Sequence, residues 1–165
     1  MKRIICLLLL SVFLFCLFGC KKQETVYITP VNVYYCKNSI VYNTDNGVIA
    51  AEQKEFFGWE QKPRDFLNYY LSGTKNEDLK SPFPIGAWIL KLEQNNNYAD
   101  LLLNANFSRL TSGEFTLSCA CLSMTVMELL GVDTVNIRID GAGQDISIIT
   151  MTKDNLIFAD NTLKN

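Results

Sequence analysis

The side chains that could carry out acid–base or metal chemistry in this 165-residue chain are carboxylates, lysines, tyrosines and cysteines, because it contains no histidine. Ser-His-Asp and Cys-His catalysis are therefore excluded within the chain. Asp100 and Asp140 are the carboxylates to consider, because they lie at predicted strand positions beside sequence motifs. A glycosidase would need two carboxyl groups about 5 to 9 Å apart in a pocket. Asp140 instead starts an Asp-Gly turn and Asp100 is expected to face solvent, so we predict no catalytic residue, cofactor or metal site.

Three of the six cysteines, Cys36, Cys119 and Cys121, lie beyond residue 20. This odd number argues against a disulfide framework. Cys119 and Cys121 are two residues apart in a predicted helix, about 200° from each other around its axis, so they neither pair easily nor chelate one ion. We expect both to be small buried apolar residues. A disulfide from Cys36 to one of them is left open.

The first twenty residues have the pattern of an export signal. Lys2 and Arg3 precede an uncharged apolar run of about 15 residues, which is shorter than the roughly 20 that a bilayer-spanning helix needs. The sequence Leu-Phe-Gly-Cys that follows, ending at Cys20, resembles the bacterial lipobox. That resemblance implies cleavage before Cys20, a diacylglycerol on its thiol with further fatty acylation such as palmitate, and a place on the extracytoplasmic face of the cell membrane. An uncleaved signal anchor and an ordinary secretory signal are the alternatives.

These boundaries divide the chain into a signal peptide (1–19), a lipidated tether (20–30) and a single domain (31–165). About 145 residues suit one domain that buries most of its apolar surface. Without Lys2 and Arg3, the 15 basic and 17 acidic residues become 13 and 17, a net charge of −4. Because nucleic-acid binding calls for a basic face, no nucleic-acid partner is expected.

Apolar periodicity predicts two hairpins and two helices, in the order ββ-α-ββ-α-β. The predicted strands are 25–28, 31–35, 48–54, 88–92, 98–107 and 134–139, with two short additions at 146–149 and 156–158. The predicted helices are 63–72, with Pro63 in its first turn, and 112–130, with Ser112 as its cap and Gly131 at its end. The order predicts an α+β fold with two helices packed on one face of a mainly antiparallel sheet.

Several short motifs, in this order, resemble the GerMN domain, the sporulation and spore germination module of endospore-forming bacteria. The resemblance covers residues 31–141, about two-thirds of the chain. The matching segments are Leu-Ser-Gly at 71–73, Pro-Ile-Gly at 84–86, the Asp-Leu strand at 100–107 and Leu-Leu-Gly-Val-Asp-Thr-Val-Asn-Ile-Arg-Ile-Asp-Gly at 129–141. In the last, a helix end, a short turn, a strand and a closing glycine follow one another.

The resemblance implies a non-catalytic lipoprotein domain, similar in fold to the ring-building modules of sporulation and secretion assemblies. It implies envelope or sporulation proteins as partners, with homo-oligomers as a further option. Phe56, Phe57 and Trp59 fall in a predicted loop, where aromatic residues more often contact a partner, so they form the candidate interaction surface. The competing interpretation is that such aromatics fill the core. A small cell-wall or solute-binding lipoprotein is the alternative function, and aromatics around a concave pocket would favour it.

Overall fold

Two β-sheets and two α-helices form the part of the chain described by the computed structural model, residues 28–38, 47–57, 62–141 and 148–156. The strands are β1 (Ile28–Lys37), β2 (Ile49–Phe57), β3 (Leu79–Lys80), β4 (Ile89–Asn95), β5 (Tyr98–Leu103), β6 (Thr134–Ile139) and β7 (Ile149–Thr152). The helices are α1 (Pro63–Leu71) and α2 (Ser112–Leu130), with a 3₁₀ helix at Ala105–Arg109. The predicted α+β fold is confirmed, and its strands divide into two sheets, ordered β2-β1-β3 and β4-β5-β6-β7.

The first hairpin pairs β1 with β2 in antiparallel register. Pro30 lies inside β1, although the sequence predicts a break there. The N–H of Tyr34, an even number of residues further along, points away from β2 and donates to Thr125 Oγ1. The Pro30 nitrogen faces the same side, so the hairpin loses no ladder hydrogen bond and the strand continues through the proline.

Side chains from both helices complete the hydrogen bonding of β1 on the side away from β2. There, β3 pairs only with Cys36 and Lys37. At Tyr34 the N–H donates to Thr125 Oγ1 of α2 at 3.0 Å, and the C=O accepts from Tyr70 Oη of α1. The backbone groups of Tyr34 are therefore satisfied without a third long strand.

The four-stranded sheet has an apolar inner face and a polar outer face, because neighbouring residues in each strand alternate between them. An inner row crosses all four strands through Leu92, Leu101, Ile137 and Ile149. The adjacent outer row passes through Glu93, Asp100, Asn136 and Thr150. The first row packs into the core and the second stays at the surface.

Helix α2 is the central element of the core. It connects β5 to β6, which are parallel and so need a crossover of a dozen or more residues. It packs against β1 of one sheet and β6 of the other, and residues 121–127 are all buried. By length and composition it could cross a membrane, but half of it is buried inside the fold, as expected for a core helix.

A capping box begins α2 one residue before the predicted cap. Thr111, not Ser112, is the N-cap, and its N–H and hydroxyl both donate to Glu114 Oε2, at 3.0 and 2.9 Å. Gly131 ends the helix as predicted, in the left-handed conformation with φ 66°.

Several element boundaries differ from the prediction. The strand predicted over 98–107 ends at Leu103, because its partner β4 begins opposite that residue at Ile89. A 3₁₀ helix follows and buries Phe107. The last strand within the described residues is β7, which begins at Ile149, where β6 offers a partner. Most of the two short strands predicted at 146–149 and 156–158 lies outside the described residues. The two-residue β3 was not predicted.

Candidate functional site

The two carboxylates considered for catalysis are not brought together. Asp100 Oδ1 accepts a 3.0 Å hydrogen bond from Asn136 Nδ2, and Asn136 Oδ1 accepts one of 2.9 Å from Thr150 Oγ1. Asp140 follows Asn136 by four residues, which places it about 13 Å further along the strand. Its N–H donates to Leu103 O at the sheet end. This backbone offset is larger than the roughly 9.5 Å that separates the two carboxyl groups of a glycosidase at most. Asp100 instead belongs to a row of hydrogen-bonded side chains on the outer face of the sheet.

Cys36, Cys119 and Cys121, the cysteines among the described residues, are free thiols. Within residues 28–38, 47–57, 62–141 and 148–156, no three His, Cys, Asp or Glu side chains are grouped to hold a metal ion. Cys119 and Cys121 are buried in α2, as predicted. Burial raises the pKa of Cys119 to about 12, so this thiol stays protonated at neutral pH. Cys36, near the end of β1, is half-buried, and the neighbouring Cys121 thiol lowers its pKa.

A half-buried polar network, which the sequence analysis missed, joins the first hairpin to the end of α1. Lys54 Nζ donates to Tyr35 Oη at 2.8 Å and to Gly73 O at 3.1 Å. Tyr35 Oη lies 2.8 Å from Gly73 O and 3.0 Å from Tyr70 O, and either carbonyl can accept a hydrogen bond from the Tyr35 hydroxyl. The ammonium group is 3.7 Å from Glu52 Oε2 and 5.0 Å from the centre of the Tyr35 ring.

This network is built to hold elements together. Burial lowers the pKa of Lys54 and raises the pKa of Tyr35, and each polar head is bonded to the backbone at the end of α1. The two residues do not face each other in the β-ladder, since Tyr35 is opposite Ala50 and Lys54 is opposite Val31. Long side chains bridge the distance, so no spacing rule in the sequence could have identified the pair.

A tight turn before β4 holds two apolar side chains in solvent. Ile85 is 99% exposed and Trp88 is 52% exposed. A 3.0 Å backbone hydrogen bond from position 87 to Pro84 O closes the turn. Gly86 has φ +74°, and a Cβ there would lie 2.9 Å from Asn106 Nδ2, so the position favours glycine twice over. We refer to residues 84–88 as the Ile85 turn.

Two asparagines fix the Ile85 turn in place. Asn104 Nδ2 and Asn106 Nδ2 each donate to Gly86 O at 2.8 Å. The Trp88 N–H donates to Asn104 Oδ1 at 3.2 Å, and the Asn104 N–H donates to Trp88 O at 2.9 Å. The exposure of the two apolar side chains is therefore a property of an ordered turn. Single exposed apolar residues are common, but two large ones within one fixed turn indicate a candidate contact site.

The aromatic surface predicted from the sequence is placed only in part. Phe56 and Phe57 form the end of β2, so they lie in a strand and not in the predicted loop. The reason is that β1 extends back to Ile28 and supplies both with backbone partners. β2 is an edge strand of its sheet. Trp59 and the predicted lipid-attachment residue Cys20 lie outside the described residues. A contact role for the three aromatics stays a prediction.

Two solved structures share this architecture. The first GerMN domain of the sporulation protein GerM from Bacillus subtilis aligns with a TM-score of 0.59 and 13% identity, over 77% of this chain and 99% of that one. The tandem GerMN domains of the same protein align with a TM-score of 0.56 and 18% identity, over 74% of this chain. The chain has a GerMN-like fold. It spans 42% of the tandem structure. The sequence matches no family model and no curated protein, so the likeness is one of fold.

The GerMN-like fold explains the motifs that carried the resemblance. Pro-Ile-Gly at 84–86 is the Ile85 turn, and residues 129–141 form the end of α2, the left-handed Gly131, strand β6 and the closing turn. Gly141 in that turn has φ +76°, which favours glycine. These motifs are therefore places where the backbone needs a particular residue type.

Proposed function

We propose that this chain is an extracytoplasmic lipoprotein whose GerMN-like domain is non-catalytic and acts by binding another protein of the cell envelope. The Ile85 turn is the observation that supports this most strongly. Asn104 and Asn106 hold the backbone of the turn, and both Ile85 and Trp88 are exposed on it. A large aromatic and a branched aliphatic side chain are the kind of residues that anchor protein interfaces.

The distribution of polar side chains supports a binding role over an enzymatic one. In the described part of the chain, Asp100 and Asp140 are separated and Lys54 is committed to backbone carbonyls and a tyrosine. The proposed absence of activity is directly testable, because a purified protein that hydrolyses glycans or peptides at a useful rate would contradict it.

The proposed anchor restricts where the partner can be. If Cys20 carries the lipid, only seven residues separate it from Ile28, the first residue of β1. Even fully extended, this stretch reaches less than about 30 Å. The domain would then work close to the extracytoplasmic face of the cell membrane, and its partner would be a membrane protein or a protein held near that membrane.

A role in sporulation or germination envelope assembly is the more specific part of the proposal. It rests on the GerMN-like fold, since the aligned domains belong to a sporulation protein. In a spore-forming host, deletion of the gene should lower the yield of heat-resistant spores, and the wild-type gene should restore it. Normal spore yield and germination in the deletion strain would contradict this part.

Metabolic labelling with a fatty acid tests the anchor. The full-length protein should incorporate the label, and Cys20→Ala should abolish incorporation and release the protein from membranes. Two acyl chains hold a protein firmly, whereas one holds it only marginally, so the effect on membrane association should be large. Label that persists in Cys20→Ala would show that Cys20 is not the attachment site.

Site-specific photo-crosslinking in the native host tests the contact surface. A photoreactive amino acid at position 85 should yield a discrete crosslinked band, identified by mass spectrometry. Position 98 is the matched control, because Tyr98 is also exposed, at 40%, but lies at the opposite end of β5 from Asn104. Crosslinking to envelope partners at position 98 and not at position 85 would refute the assignment of the Ile85 turn.

A further inference from the structure

Strand β1 and helix α2 run side by side in matched register. Asn32 Nδ2 donates to Glu128 Oε1 at 3.1 Å, and the Tyr34 N–H donates to Thr125 Oγ1 at 3.0 Å. Two residues of strand span roughly 6.7 Å, close to the 4.5 to 6 Å that three or four residues span along a helix. Each further step of two along β1 therefore meets the next turn of α2 toward its N-terminus.

The next step in this register brings two thiols together. Cys36 follows Tyr34 by two residues, and Cys121 precedes Thr125 by four on the same helix face. The register therefore places Cys36 beside Cys121, and each thiol shifts the pKa of the other. Cys119 is two residues away from Cys121 and so points to another side of α2. One of the two pairings left open by the sequence is therefore favoured by the fold.

The two thiols differ in access. Cys121 is fully buried, whereas Cys36 is half-buried and lies opposite Lys80 in the β-ladder. The neighbouring Cys121 thiol and the charge of Lys80 lower the pKa of Cys36. Since the thiolate is the nucleophile in thiol–disulfide exchange, Cys36 is the sulfur that an external disulfide would meet first.

We propose that Cys36 and Cys121 are a disulfide-forming pair that covalently joins β1 to α2 when the protein meets a disulfide oxidant. The Cys36 thiolate attacks a small-molecule or carrier-protein disulfide, forming a mixed disulfide and releasing one thiol. The Cys121 thiol then attacks the Cys36 sulfur, its proton passes to the departing sulfur of the mixed disulfide, and the second thiol is released. Two protein thiols are oxidised and one disulfide is reduced to two thiols. In the cell this rests on the proposed extracytoplasmic location, where such oxidants are found.

The geometry favours closure without rearrangement of the fold. The matched register set by the Asn32–Glu128 and Tyr34–Thr125 hydrogen bonds places Cys36 and Cys121 on facing sides of β1 and α2, as a disulfide between the two elements requires. The link would fix α2 to the sheet that is held to it at Tyr34 and Asn32 by hydrogen bonds. The disulfide would thus form within the existing contact between β1 and α2.

Peptide mapping of the full-length protein, purified from detergent-solubilised whole cells, tests the proposal. The folded protein is exposed to oxidised glutathione, remaining thiols are alkylated, and digestion products are analysed by mass spectrometry. The expected result is a crosslink between the peptides containing Cys36 and Cys121, with a mass loss of about 2 Da. Because Cys119 shares a peptide with Cys121, the matched control is Cys119→Ala, which should keep the crosslink. Cys36→Ala should lose it.

Two results would overturn the proposal. One is a crosslink that disappears in Cys119→Ala. The other is a Cys36 that stays reduced or keeps its glutathione adduct while Cys121 remains alkylatable. Because the oxidant is supplied, the outcome does not depend on where the protein resides. A wrong localisation would be seen as a missing fatty-acid label with the Cys36–Cys121 crosslink still formed.

Discussion

At the scale of single residues, the Ile85 turn depends on Gly86. Its φ is +74°, and a Cβ at this position would lie only 2.9 Å from Asn106 Nδ2, so both features oppose a larger side chain. We expect Gly86→Ala to lower the free energy of unfolding by about 1 kcal/mol or more, measured by urea unfolding. Gly113→Ala is the control: no atom lies within 4 Å of its Cβ, it lies in α2, and we expect stabilisation of about 0.5 kcal/mol. Equal effects would contradict the turn geometry.

Removal of two hydroxyls buried in α2 is expected to have opposite effects on the free energy of unfolding. Ser123 Oγ has no hydrogen-bond partner, so Ser123→Ala should be neutral or stabilise the protein by up to about 1 kcal/mol. Thr125 Oγ1 accepts from the Tyr34 N–H and donates to Cys121 O. Thr125→Val keeps its shape but leaves a buried N–H unpaired, which should cost about 1 to 3 kcal/mol. Thermal or urea unfolding of both variants measures the difference, and a larger loss in Ser123→Ala would refute this account.

At the scale of elements, the start of α2 distinguishes the observed cap from the one expected from sequence. Thr111 is the N-cap, and Ser112 is the first helical residue. Thr111→Ala should therefore lower the free energy of unfolding by about 1 kcal/mol, whereas Ser112→Ala should change it by less than about 0.5 kcal/mol. Urea unfolding checks both values. The reverse order would place the cap at Ser112.

The same capping box predicts a pH dependence. Hydrogen bonds from the Thr111 backbone and hydroxyl lower the pKa of Glu114 from its ordinary value of 4.5. The ionised Glu114 side chain therefore contributes fully to the free energy of unfolding above pH 4.5. This contribution is lost as the pH falls through the lowered pKa that Glu114 has in the folded protein. The difference in unfolding free energy between wild type and Glu114→Ala should be present at pH 7 and shrink in acid. A difference that stayed constant to pH 2 would contradict the prediction.

The sequence could predict those elements whose own periodicity encodes them. The spacing of Phe66, Leu67 and Tyr70 identified α1, and the long apolar stripe ended by Gly131 identified α2. Elements that exist only through a partner were missed or misplaced. The two residues of β3 are a strand because β1 is beside them, and β2 runs to Phe57 because β1 extends back to Ile28.

At the scale of the whole molecule, the division into two sheets could not be read from the sequence. It depends on α2, whose residues 121–127 are buried on all sides, and on side chains that take the place of a neighbouring strand at Tyr34. Such long-range contacts leave no periodic signal. The GerMN-like fold itself was predictable, because four short motifs at turns and strand ends constrain the backbone strongly enough to be recognised in order.

The candidate contact surface divides in the same way. The Pro-Ile-Gly turn was recognised as a motif, but its role in exposing Ile85 and Trp88 depends on Asn104 and Asn106, about twenty residues away in sequence. Because the two asparagines are so far from the turn in sequence, no local sequence pattern predicts their hydrogen bonds to it. The Lys54–Tyr35 network was invisible for the same reason.

Quantitative recovery of the envelope partner from host membranes, using tagged full-length protein, tests the central claim most directly. We expect the double variant Ile85→Asp, Trp88→Ala to recover about tenfold less of the partner than wild type, because both substitutions remove apolar contact area from the Ile85 turn. Tyr98→Ala, an exposed aromatic change at the far end of β5, should leave recovery within about twofold. Undiminished recovery by the double variant, with unchanged thermal stability, would contradict the account.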